Sequence, residues 1–350
     1  MIAHGGRMTV KTRSTAICVF TVVVMLSSGC VVLSNRLAVP KEIETIRVEK
    51  DGPSRSPDKG KTELTILSWN IGYAGMGKEA DFFMDGGSQY RPQKSSLVYR
   101  NLDGIIDHLS RCDADIFLLQ EVAKTSWITR NIDVYTTLKD AFFDRYWTYS
   151  DDLITRWVWW PLRIRMGNAT VSVIEPTAAE TRALALEPDY ILGMFRKQYK
   201  MHIIRIADNW VIVNVHLSAF DSAETSVREQ QLRQVLDFAR SEYDKGNKVV
   251  IGGDWNLRLV ETDFPHTTAT EHLFWIRDLP EWARMPGWSW AADPQTPSVR
   301  TVHVPYTEGY NYTLVIDGFL ISPNVELLSV HTDNPDFSFS DHQSVSITVR

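Results

Sequence analysis

The stretch VVIGGDWN, residues 249–256, sets the apolar run Val249, Val250 and Ile251 directly before Asp254 and Asn256. Four further runs share this design: LTILSWN (64–70) ends on Asn70, DIFLLQE (115–121) on Glu121, VIVNVH (211–216) on His216 and LVID (314–317) on Asp317. A sixth cluster, SDH, supplies Asp341 and His342 just before the last apolar run. Acids and imidazoles are costly inside a sheet, so they gather where strands leave the core. Catalytic groups commonly occupy such a rim. One strand ending in an acid is ordinary. A set of Asn, Glu, His, Asp-x-Asn, Asp and Asp-His is read as one convergent site rather than as independent loop polars.

With 350 residues and 44% hydrophobic content, the chain can bury a large core. The even spread of strand-like runs favours one catalytic domain over residues 63–350. The N-terminus differs: Arg7, Lys11 and Arg13 precede the apolar stretch AICVFTVVVMLSS (16–28), which runs into Gly29 and Cys30. A basic segment, an apolar segment and small residues make residues 1–29 a secretory signal, too short for a comfortable membrane span. The ending Leu-Ser-Ser-Gly-Cys resembles a bacterial lipoprotein signal with Cys30 as the lipidation site, although Ser27 stands where that pattern prefers Leu. The expected location is therefore extracytoplasmic, at a cell-envelope membrane through the lipid on Cys30, or secreted. Loss of residues 1–29 would remove three cations and no acid, moving the formal net charge from −6 to −9. A basic nucleic-acid footprint is absent, though a bound cation and a local Lys/Arg rim can offset a negative average. Cys112 is the one thiol left in the domain, so no internal disulfide is expected, and it reads as a small packing residue.

Residues 30–62, as in RVEKDGPSRSPDKGK, are charged and rich in Pro, Ser and Gly, and read as a flexible tether. Helical spacing appears in NLDGIIDHLS (101–110) and over Thr225 to Tyr243, where Ser222 or Thr225 is positioned to cap. Strand-like runs lie near 64–69, 115–121, 168–174, 200–206, 210–216, 248–253, 313–321, 325–331 and 343–349. MHIIRIA and WVIVNVH are separated only by Asp208 and Asn209, which predicts an antiparallel hairpin. The mixture predicts sheets covered by helices. Two Trp-rich stretches, TRWVWWPLRIRM (155–166) and HLFWIRDLPEWARMPGWSW (272–290), are expected to cover the core, with lipid contact or base stacking as alternatives.

A hard divalent cation such as Mg2+ prefers carboxylate and carbonyl oxygens, which Asn70, Glu121 and Asp341 offer. No cysteine cluster, HExxH or GxxxxGK[ST] motif occurs, which argues against structural zinc, a zinc protease and P-loop chemistry. Histidines and Asn256 can supply the base, acid and donors that phosphoryl transfer needs. Asp317 is the natural carboxylate partner to fix the tautomer of His342.

In order, SWNIGY, FLLQEV, GNATVS, NVHLSAF, GGDWN, VIDGFLIS and SDHQSV resemble the motifs of the endonuclease/exonuclease/phosphatase superfamily of metal-dependent phosphodiesterases, over about residues 63–350. The resemblance implies a four-layer α/β sandwich of two packed mixed, mainly antiparallel sheets flanked by helices. It implies Mg2+, or Mn2+, on Glu121 with Asn70 and Asp341 beside it. It further implies that Asp254 orients or deprotonates the attacking water or binds a second metal, Asn256 contacts the scissile phosphate, His342 held by Asp317 is the general base, and His216 stabilises the phosphate and helps the leaving oxygen depart. Asn168 in the GNA motif is a weaker candidate for phosphate contact, and Arg300 and Arg196 are candidate phosphate clamps.

The long Gly-rich stretch GYAGMGKEADFFMDGGSQYRP (72–92) departs from familiar members and is expected to shape the substrate mouth, with FFMDGG as a lid. The leading expectation is a membrane-tethered, monomeric phosphodiesterase acting on nucleic acid or on a phospholipid head group. Trp loops on the face of the site would favour lipid. Lys94, Arg100, Arg163 and Arg165 lining it would favour nucleic acid. The alternatives are a phosphomonoesterase of the inositol-phosphatase type and a catalytically inactive ligand-binding lipoprotein.

Overall fold

A computed structural model describes residues 40–53, 62–155, 158–159, 161–187, 197–219 and 226–350. The segment read as a signal, Cys30, Arg196, Ser222 and Thr225 lie outside the described residues.

The apolar runs form two mixed sheets. Sheet one is ordered β1 (Ile43–Thr45), β6 (Ala178–Ala183), β7 (Lys200–Ile206), β8 (Trp210–His216), β9 (Lys248–Asp254), β13 (Asp317–Ile321) and β10 (Ser289–Ala291). Sheet two is ordered β14 (Leu327–Thr332), β15 (Val345–Val349), β2 (Leu64–Asn70), β3 (Ile116–Ala123), β5 (Arg165–Ser172) and β4 (Tyr146–Ile154). A short ribbon pairs β11 (Val299–Arg300) with β12 (Thr313–Leu314). Pairing is antiparallel within the sheets except for β8 with β9 and β2 with β3.

Alternation along each central strand explains the layering, because successive side chains point to opposite faces. Ile66, Ile116 and Leu118 of sheet two meet Ile204, Ile212, Val250 and Phe319 of sheet one in the central core. The intervening residues Leu67, Trp69, Phe117 and Leu119 face outward. There they are covered by Val98, Leu102, Ile105 and Leu109 of α1 (Ser95–Arg111) and by Val134 and Leu138 of α2 (Val134–Ala141). On the other side α3 (Val227–Asp244) lays Leu232, Val235, Leu236 and Ala239 on Val211, Val213, Val249 and Ile251. The result is helix, sheet, sheet, helix: the four-layer sandwich expected from the sequence. Strands buried on both faces read as continuous apolar runs, as VVI does.

The predicted hairpin forms, with Ile206 paired to Trp210 and Asp208 and Asn209 at φ 59 and 61 in its turn. Both residue types tolerate that left-handed conformation better than most. Helix α3 is capped by Ser226, whose hydroxyl accepts from the Glu229 N–H, not by the two residues proposed. The tether reading is corrected over 40–53. β1 adds to the sheet as an edge strand beside β6, Glu49 bridges to Trp147, and Ile46 and Val48 pack against the central core. Charged neighbours hid that alternation.

The two Trp stretches also separate. Trp288 packs against Tyr243, and Trp290 lies edge-on to Trp255, so the end of the 272–290 stretch covers core as expected, while Phe274 and Trp282 stay exposed. The tip of the β4–β5 hairpin does not: Trp159 is 87% and Leu162 61% exposed.

Candidate active site

Strand register gathers the polar ends of sheet one into a single row. β8 and β9 are parallel and end together, pairing His216 with Asp254. β13 runs back along β9 and starts where β9 ends, pairing Asp317 with Asp254. From sheet two, β2 ends on Asn70 opposite Gln120 of β3, and Glu121 follows at a bulge where the register shifts between Leu119 and Val122. Glu121 has φ 56, uncommon for a residue with a side chain, and a bulge of this kind re-aims the side chain it carries.

The two rows meet through hydrogen bonds. Asn70 Nδ2 donates to Asp254 Oδ2 at 3.1 Å, and Asn70 Oδ1 accepts from the Gly72 N–H at 3.0 Å. His342 Nδ1 lies 2.9 Å from Asp317 Oδ2, and its Nε2 lies 3.7 Å from Asp254 Oδ2. His216 Nε2 is 3.5 Å from the same Asp254 oxygen. Asp254 Oδ1 accepts from the Asn256 N–H at 2.9 Å. Asn256 Nδ2 donates to Leu217 O at 2.8 Å, so its Oδ1 stays the side that can meet a ligand. The Ser340 hydroxyl donates to Asn70 O at 2.8 Å and Trp69 Nε1 donates to His342 O at 3.0 Å, tying the SDH turn to the end of β2. Asp254 is 1%, Asp317 0%, Asn70 3%, His216 4% and His342 6% exposed, which makes this the floor of a deep site.

Burial decides the protonation states. It raises Asp254, as does the neighbouring Asp317 carboxylate, while the His342 imidazole works against the rise. Burial acts to lower His342, but the Asp317 and Asp254 carboxylates outweigh it and hold the ring well above the ordinary histidine range. Burial lowers His216 well below that range, with the Lys197 ammonium and His342 adding to the fall. The floor therefore holds an imidazolium at His342 and a neutral imidazole at His216.

Glu121 is raised by burial and by Asp341 and Asp254, against the pull of Lys197 and His342. Among the described residues, the carboxylates of Glu121, Asp254, Asp317 and Asp341 face the cations Lys197 and His342, with the Arg300 guanidinium acting on Asp341. Asp317 Oδ1 is buried with no hydrogen-bond partner among the described residues. Ligand atoms of Asp254, Asp317 and His342 lie within 4.8 Å of one another. The carboxylates of Glu121 and Asp341 with the Asn70 side chain form an oxygen-rich donor set that fits a hard divalent cation, whereas His342 as an imidazolium has no lone pair to offer one.

Lys197 was not read from the sequence, and it stands in the site. Its Nζ is 3.6 Å from Glu121 Oε1 and 3.3 Å from His216 Nδ1. An isolated lysine ahead of a strand carries no signal of such a role. Also missed was the polar floor between the sheets, where Gln120 Nε2 donates to Asn214 Oδ1 at 2.8 Å and to Ser68 Oγ at 3.1 Å. Asn214 Nδ2 in turn donates to Leu119 O and Ala169 O. Asn168 is 2% exposed beside this network, and its Oδ1 has no partner among the described residues.

Arg300 does something other than the clamp proposed. Its side chain is 1% exposed and donates to Thr301 O and Val304 O, and to Gly77 O and Ala80 O of the Gly-rich stretch. Burial pulls its guanidinium down to about 10. It is a strut that fixes the 72–92 segment to the ribbon. That segment reaches the site as expected: Asp85 is raised to about 7 by burial and then by Asp341.

A carboxylate and histidine floor where two packed sheets converge defines a hydrolase of phosphoric esters. The family model described as "Endonuclease/Exonuclease/phosphatase family" matches residues 67–342, and the chain belongs to that family. A comparison with curated protein sequences gives no match. Among solved structures, the fold resembles the endonuclease/exonuclease/phosphatase from Beutenbergia cavernae, at 17% identity over 83% of this chain and 72% of that one, with a TM-score of 0.52. It also resembles the family protein from Leptotrichia buccalis, at 11% identity over 82% of this chain and 99% of that one, with a TM-score of 0.52. Membership of a hydrolase family, with the motif positions filled, sets aside the ligand-binding alternative.

Proposed function

We propose that this chain is a divalent-metal-dependent phosphodiesterase of the extracytoplasmic membrane surface, using Mg2+ or Mn2+ and acting on phospholipid head groups. The observation that carries the chemistry is the floor itself: Asn70, Glu121, His216, Asp254 and Asp317 brought together by register at the facing ends of the two sheets, with Asp341 and His342 supplied by the turn before β15. Glu121, Asn70 and Asp341 would hold the metal, which supplies a positive charge on the phosphoryl oxygens and a polarised water.

The chain's own residues do the rest. Asp254, raised toward neutrality and held by Asn70 and Asn256, takes the proton of the attacking water. His342, kept cationic by Asp317, donates to a phosphoryl oxygen as charge builds there. Lys197, beside neutral His216, would donate the proton that the departing oxygen takes up. Asn256 Oδ1 and Asn168 border the phosphate position.

The lipid reading rests on topology. β3 and β5 are antiparallel, with Val122 opposite Gly167, so the β4–β5 tip rises from the sheet end that bears Glu121. That tip exposes Trp159 and Leu162. Two of the cations a nuclease would use are neutralised instead, Arg165 by Asp151 and Arg100 by Glu79. The apolar segment ending at Cys30 supports the membrane location. A nucleic-acid substrate keeps one observation in its favour. Arg91, stacked 4.4 Å above Trp127, and Arg130 line a cleft of about 320 Å³ beside the same hairpin.

The test incubates the protein and its Trp159→Ala variant, with magnesium, against sphingomyelin and phosphatidylcholine vesicles, plasmid DNA and RNA. Head-group release that falls in the variant, with no plasmid nicking, supports the reading. Nicking without head-group release overturns the lipid assignment and leaves the phosphodiesterase in place.

A further inference from the structure

A second cluster of metal-binding side chains lies behind the site, at the far end of α1. His108 and Cys112 stand four residues apart on the last turn of α1 and its C-cap, so they share one face of the helix. Asp333 follows β14 directly. Ligand atoms of His108, Cys112 and Asp333 lie within 4.8 Å of one another, and all three residues are half-buried rather than sealed. His108 Nε2 is 3.5 Å from Asp333 Oδ2. Tetrahedral ligands bound at about 2.0–2.3 Å lie roughly 3.5 Å apart, so this pair already stands at ligand spacing.

The carboxylate is positioned from all sides. Asp333 donates its N–H to Ser344 O at 3.0 Å, the Ser344 hydroxyl donates to Asp333 Oδ2 at 3.0 Å, and His331 Nε2 lies 3.5 Å from Asp333 Oδ1. Ser344 Oγ also lies 2.8 Å from His108 Nε2. Carboxylates that orient histidines, and neighbours that orient the carboxylate, are the usual surroundings of a metal ligand. None of these groups takes part in the phosphodiesterase floor.

We propose that His108, Cys112 and Asp333 form a separate binding site for a borderline-soft divalent cation of the zinc class, with water completing the tetrahedron. The donor set of one sulfur, one nitrogen and one oxygen selects such a cation and disfavours magnesium, whereas the all-oxygen corner at Glu121 does the reverse. On binding, the Cys112 thiol and the His108 ring each release one proton to solvent, and the cation takes up a thiolate and a neutral imidazole. The bound cation ties the C-terminus of α1 to the β14–β15 connection. It also fixes the ring of His108, which packs edge-on against Trp69 with centroids 4.9 Å apart. Trp69 holds the His342 carbonyl, so the new site buttresses the catalytic turn from behind.

The experiment uses the full chain carrying Cys18→Ser and Cys30→Ser, in which Cys112 is the sole thiol. The protein is stripped with chelator and titrated with cobalt(II) alone, following the thiolate-to-cobalt charge-transfer band, and in parallel with zinc, following the thermal midpoint. The expected result is a band that saturates at one equivalent, is lost on adding Cys112→Ser, and survives Glu121→Gln. Zinc should raise the midpoint in the parent and not with Cys112→Ser, and Asp333→Asn should weaken zinc binding at least tenfold. A parent chain with no charge-transfer band, or a band unchanged by Cys112→Ser, overturns the site.

Discussion

Replacing Asp317 by Asn keeps the shape of the side chain and removes the charge that holds His342. The lost contact is a 2.9 Å bond to Nδ1 on a fully buried carboxylate. Hydrogen bonds to charged groups contribute roughly 1.5–3 kcal/mol net, and one pKa unit corresponds to about 1.4 kcal/mol. His342 should therefore fall by about one to two units in Asp317→Asn. If its imidazolium donates to the phosphoryl oxygen, the alkaline limb of the rate profile moves down by the same amount. The turnover rate should drop on the order of 10²–10⁴-fold, the range of a misaligned proton-handling histidine.

Stability follows the same group. The folded value of His342 lies above its unfolded value, so its contribution is fully present below the unfolded imidazole range of about 6.5 and is lost as pH rises through the folded value. The difference in thermal midpoint between the parent and Asp317→Asn should be largest in mild acid and should narrow as pH rises. The assays are kcat against pH on bis-para-nitrophenyl phosphate and melting from mild acid to alkaline pH. An alkaline limb and turnover rate identical to the parent would refute the pairing of Asp317 with His342 as a catalytic device.

Three further outcomes follow from the packing. Arg300→Ala should destabilise by roughly 2–4 kcal/mol, because it strips buried carbonyls of a charged donor, while KM changes little; a melting curve unchanged from the parent would restore the clamp reading. Gly72→Ala should cut turnover more than it lowers the melting midpoint: at φ +48 its new Cβ would meet Asp341 Oδ1 at 2.9 Å and Met76 Cβ at 2.7 Å, so normal turnover would free Asp341 from any role. Lys197→Met removes the cation that lowers Glu121 and should shift the acid limb of the rate profile to higher pH, and an unmoved acid limb would separate Lys197 from the chemistry.

Much of this site was readable because parallel and antiparallel register convert strand ends into neighbours. His216, Asp254 and Asp317 sit in one row for the same reason that VIVNVH, VVIGGDWN and LVID all stop on a polar residue. What escaped was what periodicity does not encode. Arg300 and Lys197 look alike in sequence, yet one is a buried strut and the other faces Glu121, because the loops that surround them are set by tertiary packing. β1 escaped because a three-residue edge strand needs β6 beside it to exist. The Gln120, Asn214 and Ser68 network lies within runs that otherwise read as apolar, and it is satisfied only across the two sheets.

Replacing Glu121 asks whether the carboxylate floor needs a divalent cation to hydrolyse a phosphodiester. Metal-stripped protein and Glu121→Gln would be titrated with magnesium while hydrolysis of sphingomyelin and bis-para-nitrophenyl phosphate is followed, with circular dichroism as the control for folding. Turnover should be absent in excess chelator, recover fully with magnesium in the parent, and stay absent in the folded variant. Turnover that persists in excess chelator, or in Glu121→Gln, would contradict that need.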